Sequence, residues 1–164
     1  IKAMNNHEID YQVYGEELQC VEIELDPQEA VVAEAGSMMI MDPDIEMQTI
    51  FGDGSGQEGG FVGKLLGAGK RLLTGESLFM TVYSHQGRSG KRTVTFAAPY
   101  PGKIVPLNLA ELDGKIICQK DAFLCAAKGV SVGIEFQKRL GTGLFGGEGF
   151  IMQKVEGDGW ASAT

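Results

Sequence analysis

Two histidines, three cysteines and a scatter of serines are the residues of this 164-residue chain from which a catalytic or metal centre would have to be built. His7 and His85 stand far apart, so neither a set of imidazoles for a metal nor a second base is at hand. A Ser-His-acid set would need Ser37, Ser77 or Ser84 beside His85. Yet there is no G-x-S-x-G turn, and Ser84 next to His85 on a strand would point to the opposite face. Cys118 and Cys125 as nucleophiles meet the same shortage of histidine. Cys20, Cys118 and Cys125 show no C-x-x-C spacing, which suits buried thiols on strands in a reducing, cytoplasmic compartment. No catalytic residue, cofactor or metal is expected.

Carboxylates are plentiful, and one pair stands out. Gly75-Glu76 and Gly147-Glu148 each lead directly into a strand-forming run, SLFMT and GFIMQ. Glu76 and Glu148 could face each other as a glycosidase-like pair. The simpler expectation makes them structural turn carboxylates, each accepting backbone N–H groups in its glycine turn. Met38, Met39, Met41 and Met47 follow strand spacing with no Cys or His beside them, so core packing is expected rather than a copper site. Gly67-Ala68-Gly69-Lys70-Arg71 fails as a phosphate loop, because Ser or Thr should follow the lysine and Gly should stand at Lys64.

The chain's charge narrows the partners. A net charge of -8 argues against nucleic acid. Residues 51–91 run the other way, with five basic and three acidic side chains. Within them, 61–73 (FVGKLLGAGKRLL) has helix-like apolar spacing loosened by three glycines. Phe61, Lys64, Leu65, Leu66, Lys70 and Arg71 are therefore the candidate contact with an anionic membrane or a protein partner. The alternative is a short helix or ordered loop closing one end of a β-structure. No apolar run is long enough to span a membrane as a helix.

Everything around this segment reads as β. Alternating runs predict half-buried strands at 8–14, 18–25 (Val21, Ile23 and Leu25 inward), 45–50 (Ile45 and Met47 inward) and 132–137. Further strands are expected at 30–34, 37–41, 77–84, 92–98, 115–119, 122–127 and 149–155. Asp26-Pro27 ends the second strand, and Pro106 keeps 103–109 short or at an edge. Twenty-four glycines, about twice the usual share, fit many tight turns.

An internal repeat is expected over about 28–87 and 120–159. Gln28 to Ala33 resembles Lys120 to Cys125, Ile45 to Gln48 resembles Ile134 to Gln137, and Gly75-Glu76 matches Gly147-Glu148. A unit of a few strands cannot bury its apolar face alone, so the copies should share one core. The expected fold is all-β, a single compact unit over 1–164, arranged as a duplicated double-stranded β-helix or sandwich-like structure of two related halves.

The blocks EAGSMMIM (34–41), GESLFMT (75–81), AAPYPGKIVPL (97–107), ICQKDAFLCAA (117–127) and IEFQKRLGTGLFGGEGFIMQ (134–153) closely resemble the AIM24 family, also known as DUF124. The resemblance implies a duplicated double-stranded β-helix, similar in fold to the tryptophan RNA-binding attenuator protein, and a homo-oligomer. It supplies no catalytic residues. Mitochondrial members are linked to inner-membrane organisation, which favours a membrane or scaffold role for 61–73. The function expected is thus a non-enzymatic interaction or scaffold protein. The alternative is a small-ligand-binding β-helix module or a carboxylate-based enzyme, which would need a closed pocket near Glu76 or Glu148.

Overall fold

The structure, a computed structural model, describes residues 8–51, 79–138 and 150–164. Among these, the chain is almost wholly β, with thirteen strands and two single 3-10 turns. The strands are β1 (Asp10–Tyr14), β2 (Cys20–Leu25), β3 (Ala30–Glu34), β4 (Met38–Met41), β5 (Ile45–Phe51), β6 (Phe79–His85) and β7 (Arg92–Ala97). They continue with β8 (Val105–Asn108), β9 (Lys115–Gln119), β10 (Phe123–Ala127), β11 (Ser131–Lys138), β12 (Phe150–Glu156) and β13 (Trp160–Ala163). Every ladder between them is antiparallel.

Three sheets result, with strand orders β1-β2-β7-β4, β5-β6-β3-β10-β13-β8 and β11-β12-β9. Side-chain alternation decides which face each strand buries. In β2, Val21, Ile23 and Leu25 are fully buried while Glu22 and Glu24 lie half-buried on the other face. β10 is buried along its whole length because it lies between β3 and β13. A single apolar cluster takes side chains from all three sheets, including Ile23, Phe96, Val32, Cys125, Val132 and Val155. Phe96 of β7 meets Tyr83 of β6 edge to face at 5.1 Å, tying the first sheet to the second. Pro106 sits in β8, the outer strand of the six-stranded sheet, where its missing N–H costs no ladder bond.

Two expectations need correcting. Met47 is exposed, not inward, and Met39 and Met41 are exposed as well; only Met38 packs against the core. Among the described residues β4 and β5 are both outer strands, each with a neighbour on one side, so less of the surface is covered. His85 closes β6 and is buried.

The second correction concerns the repeat. The strand orders β2-β7-β4 and β5-β6-β3 recur as β8-β13-β10 and β11-β12-β9. The register recurs with them. Val31 opposite Tyr83 becomes Ile116 opposite Val155, and Met47 opposite Tyr83 becomes Val132 opposite Val155. Ile40 opposite Thr95 becomes Cys125 opposite Ser162, and the β-bulge between Met38 and Ile40 returns between Phe123 and Cys125. Even the turn bond from Ile45 N to Asp42 O reappears from Val130 N to Ala127 O, both at 3.1 Å. By this geometry β3 corresponds to β9, not to β10, and Ile45 corresponds to Val130. Ile134, opposite Gln153, takes the place of Thr49 opposite Thr81. The I-E-x-Q match therefore lies four residues out of register.

Candidate functional site

Among the described residues, His85 and Cys125 are held in structural roles. The Nδ1 of His85 accepts from the Gly87 N–H at 2.9 Å, which leaves Nε2 to donate to the Gly90 carbonyl at 2.8 Å. Both ring nitrogens are thus engaged in shaping the β6–β7 connection, and neither is left for a metal or substrate. The Cys125 thiol is buried beside the Ser162 hydroxyl at 3.2 Å, and burial pushes it up to about 12. Such a thiol stays protonated and inert at neutral pH. Burial also raises Cys118. Cys20, Cys118 and Cys125 are all free. Among the described residues no cluster of three or more His, Cys, Asp or Glu could hold a metal ion.

Two hollows remain. One, of about 260 Å³, is lined by Glu34, Ser37, Tyr100, Asp121 and Phe123 among others. There Oε2 of Glu34 is buried without a partner. Burial pushes the Glu34 carboxyl above its usual value; Lys120 pulls it back and Asp121 adds to the rise. The other, of about 430 Å³, lies between β1, β8 and β13, where Tyr11 stacks on Trp160 at 4.7 Å with Glu8 and Glu111 at its rim. Nothing in the sequence marked Glu34, since a lone Glu at a strand end carries no motif.

Apolar side chains exposed on outer strands form the other notable surface. Met39, Ile40 and Met41 line β4, Ile117 stands on β9, and Ile40 and Ile117 are 64% and 48% exposed. Both strands end their sheets. Outer strands are ordinarily blunted by charge or proline, because their free N–H and C=O groups invite pairing. β4 carries no charged residue. The candidate contact residues Phe61, Lys64, Leu65, Leu66, Lys70 and Arg71, and the turn carboxylates Glu76 and Glu148, lie outside the described residues.

The profile of the family described as "Mitochondrial biogenesis AIM24" matches residues 11–164. The chain belongs to the AIM24 family. Its fold is similar to the crystal structure of a Streptococcus pyogenes protein solved by structural genomics, with a TM-score of 0.66 at 23% identity. The likeness covers 95% of this chain and 64% of that one, so this chain spans under two thirds of its structural relative. At that identity it is the fold that is shared. No curated protein sequence matches significantly. Among the described residues of this AIM24-family chain, no helix is long and apolar enough to cross a membrane.

Proposed function

We propose that this AIM24-family chain is a non-enzymatic interaction or scaffold protein: a β framework that offers apolar strand edges to other proteins. The observation that carries this is the uncharged edge strand β4, exposed over Met39 to Met41, which has neither charge nor proline to protect it against pairing. The engagement of His85 and the inertness of Cys125 favour the same reading. We read the two halves as copies of one ancestral unit in a double-stranded β-helix of the attenuator-protein kind, which would suit assembly into a homo-oligomer. The basic segment 61–73 supplies a second contact, with an anionic membrane or a protein partner.

Sedimentation velocity of the chain, together with pelleting on anionic vesicles, tests this. Self-association, or vesicle binding weakened by Lys64→Glu, Lys70→Glu and Arg71→Glu, supports it. A monomer that ignores vesicles contradicts it.

The hollow at Glu34 supports a second reading, a small-ligand module or carboxylate-based enzyme, sited at Glu34 and Asp121 rather than at Glu76 and Glu148. A ligand that donates a hydrogen bond would satisfy the orphaned Oε2. A rise in Tm with small amines or polyols, lost in Glu34→Gln, would favour it.

A further inference from the structure

The hollow of about 430 Å³ lies where β1 of the first sheet meets β8 and β13 of the second, and alternation along β1 explains its lining. Tyr11 stands opposite Ile23, which is fully buried, so both side chains take the core side of the first sheet. On β1, however, Tyr11 meets the start of β13, and its ring stacks on Trp160 with centroids 4.7 Å apart and planes at 30°. Trp160 is itself packed against the apolar core, which fixes the pair in place. One face of the Tyr11 ring is covered by the indole, yet Tyr11 remains 41% exposed.

The rest of the lining selects for charge. Glu8 precedes β1, Glu111 lies in the 3-10 turn after β8, and among the described residues no lysine or arginine lines the hollow. Glu111 is held in position: its Oε1 accepts from Asn108 Nδ2 at 2.9 Å, while Asn108 Oδ1 accepts from Ala110 N at 3.2 Å. That leaves Oε2 of Glu111 to accept from a ligand. Trp160 adds a separate sign, since its Nε1 is buried without a partner. An unmet buried donor costs stability, and a phenylalanine would stack on Tyr11 without that cost. What the indole adds is the ring face that attracts a cation most strongly.

The geometry points to a binding site for one guanidinium group, carried by a free guanidino compound or by an arginine side chain. A guanidinium is planar, lies flat on aromatic rings and aims parallel N–H groups at a carboxylate; a primary ammonium is a point charge that does neither. In the hollow the cation stacks on the Tyr11–Trp160 pair, donates to Glu111 and faces the charge of Glu8 across the rim. The net charge of -8 favours its approach. This site goes beyond the strand-edge contacts proposed above, and it depends on neither self-association nor vesicle binding.

Trp160 is the chain's only tryptophan, so its fluorescence reports on the site directly. The full chain is titrated at constant ionic strength with methylguanidinium, with a blocked Gly-Arg-Gly peptide and with methylammonium. A saturable change is expected with the first two, and methylammonium should bind at least about threefold more weakly. A peptide that binds tighter than methylguanidinium assigns the site to an arginine side chain of a protein; a peptide that binds no tighter assigns it to a free guanidino compound. Glu8→Gln with Glu111→Gln keeps the shape of the hollow and should weaken binding about five- to tenfold. Tyr11→Leu should weaken it at least about threefold, whereas Tyr11→Phe, which keeps the ring and guards against a folding defect, should not. No saturable change in fluorescence, equal binding of methylammonium, or an unaltered affinity in the double glutamine variant would overturn the site.

Discussion

The contact between Phe96 and Tyr83 carries the junction of the first two sheets, and its removal has a calculable cost. Phe96 is fully buried, stands opposite Val21 on one side and Met38 on the other, and meets Tyr83 with ring centroids 5.1 Å apart at 71°. Phe96→Ala removes a ring from a position that no neighbour can fill without moving two strands, so a loss of about 3–5 kcal/mol is expected. For a chain of this size, each kcal/mol lowers Tm by about 2–4 °C. The edge-to-face geometry should contribute about 0.5–1.5 kcal/mol of that total. Urea denaturation of the single variants and the double variant with Tyr83→Leu isolates it as a coupling energy. A cost for Phe96→Ala below about 1 kcal/mol would mean that the sheets are not joined here. A coupling of zero would mean that the rings merely fill space.

Four further outcomes follow from the same coordinates. Gln153 is fully buried with both amide atoms unpartnered, so Gln153→Leu should raise stability by about 1–3 kcal/mol in urea denaturation. The buried Glu34 carboxyl holds its proton to higher pH than in the unfolded chain, so stability should fall as pH rises above the usual carboxylate range; Glu34→Gln should abolish that slope in Tm measured across pH. A Cβ on Gly87 would lie 2.4 Å from Cε1 of His85, so Gly87→Ala should displace the ring from its bonds and lower Tm, whereas Gly102→Ala, with open space around it, should not. Cys125 should resist alkylation by iodoacetamide at pH 8 in the folded chain and react once the chain is unfolded in guanidinium.

The strands were legible wherever burial depends on one strand's own alternation. Val21, Ile23 and Leu25 face inward as their spacing requires, and Pro106 marks an outer strand because its nitrogen cannot donate. What depends on neighbours was not legible. Met47 has the spacing of a core residue but lies on an outer strand, and β4 is as apolar as the buried β10 yet is an outer strand among the described residues. The expected match of Gly75-Glu76 with Gly147-Glu148 sets Met80 on Met152, and in the ladders these two stand opposite Glu34 and Gln119. The repeat slipped elsewhere because short apolar strands such as AVVAE, KIICQ and FLCAA are nearly interchangeable in pattern, and only the ladder partners tell them apart. The 3-10 turn at Leu109–Leu112 gave no periodic signal; Asn108 starts it by accepting from Ala110 N at 3.2 Å. At Glu34 the carboxyl is raised first by burial, with Lys120 pulling it back and Asp121 adding to the rise, a setting made by the fold that no local pattern encodes.

Amide hydrogen exchange followed by mass spectrometry tests the interaction reading most directly, since it reports on the strand edges themselves. Peptides covering Met38–Met41 and Lys115–Gln119 should exchange as slowly as those covering Val31–Ala33 and Phe123–Ala127, and should lose that protection in Ile40→Lys with Ile117→Lys. Rapid exchange at β4 and β9 in the unaltered protein, beside slow exchange at β3 and β10, would show the edges bare in solution and would contradict an assembly built on them.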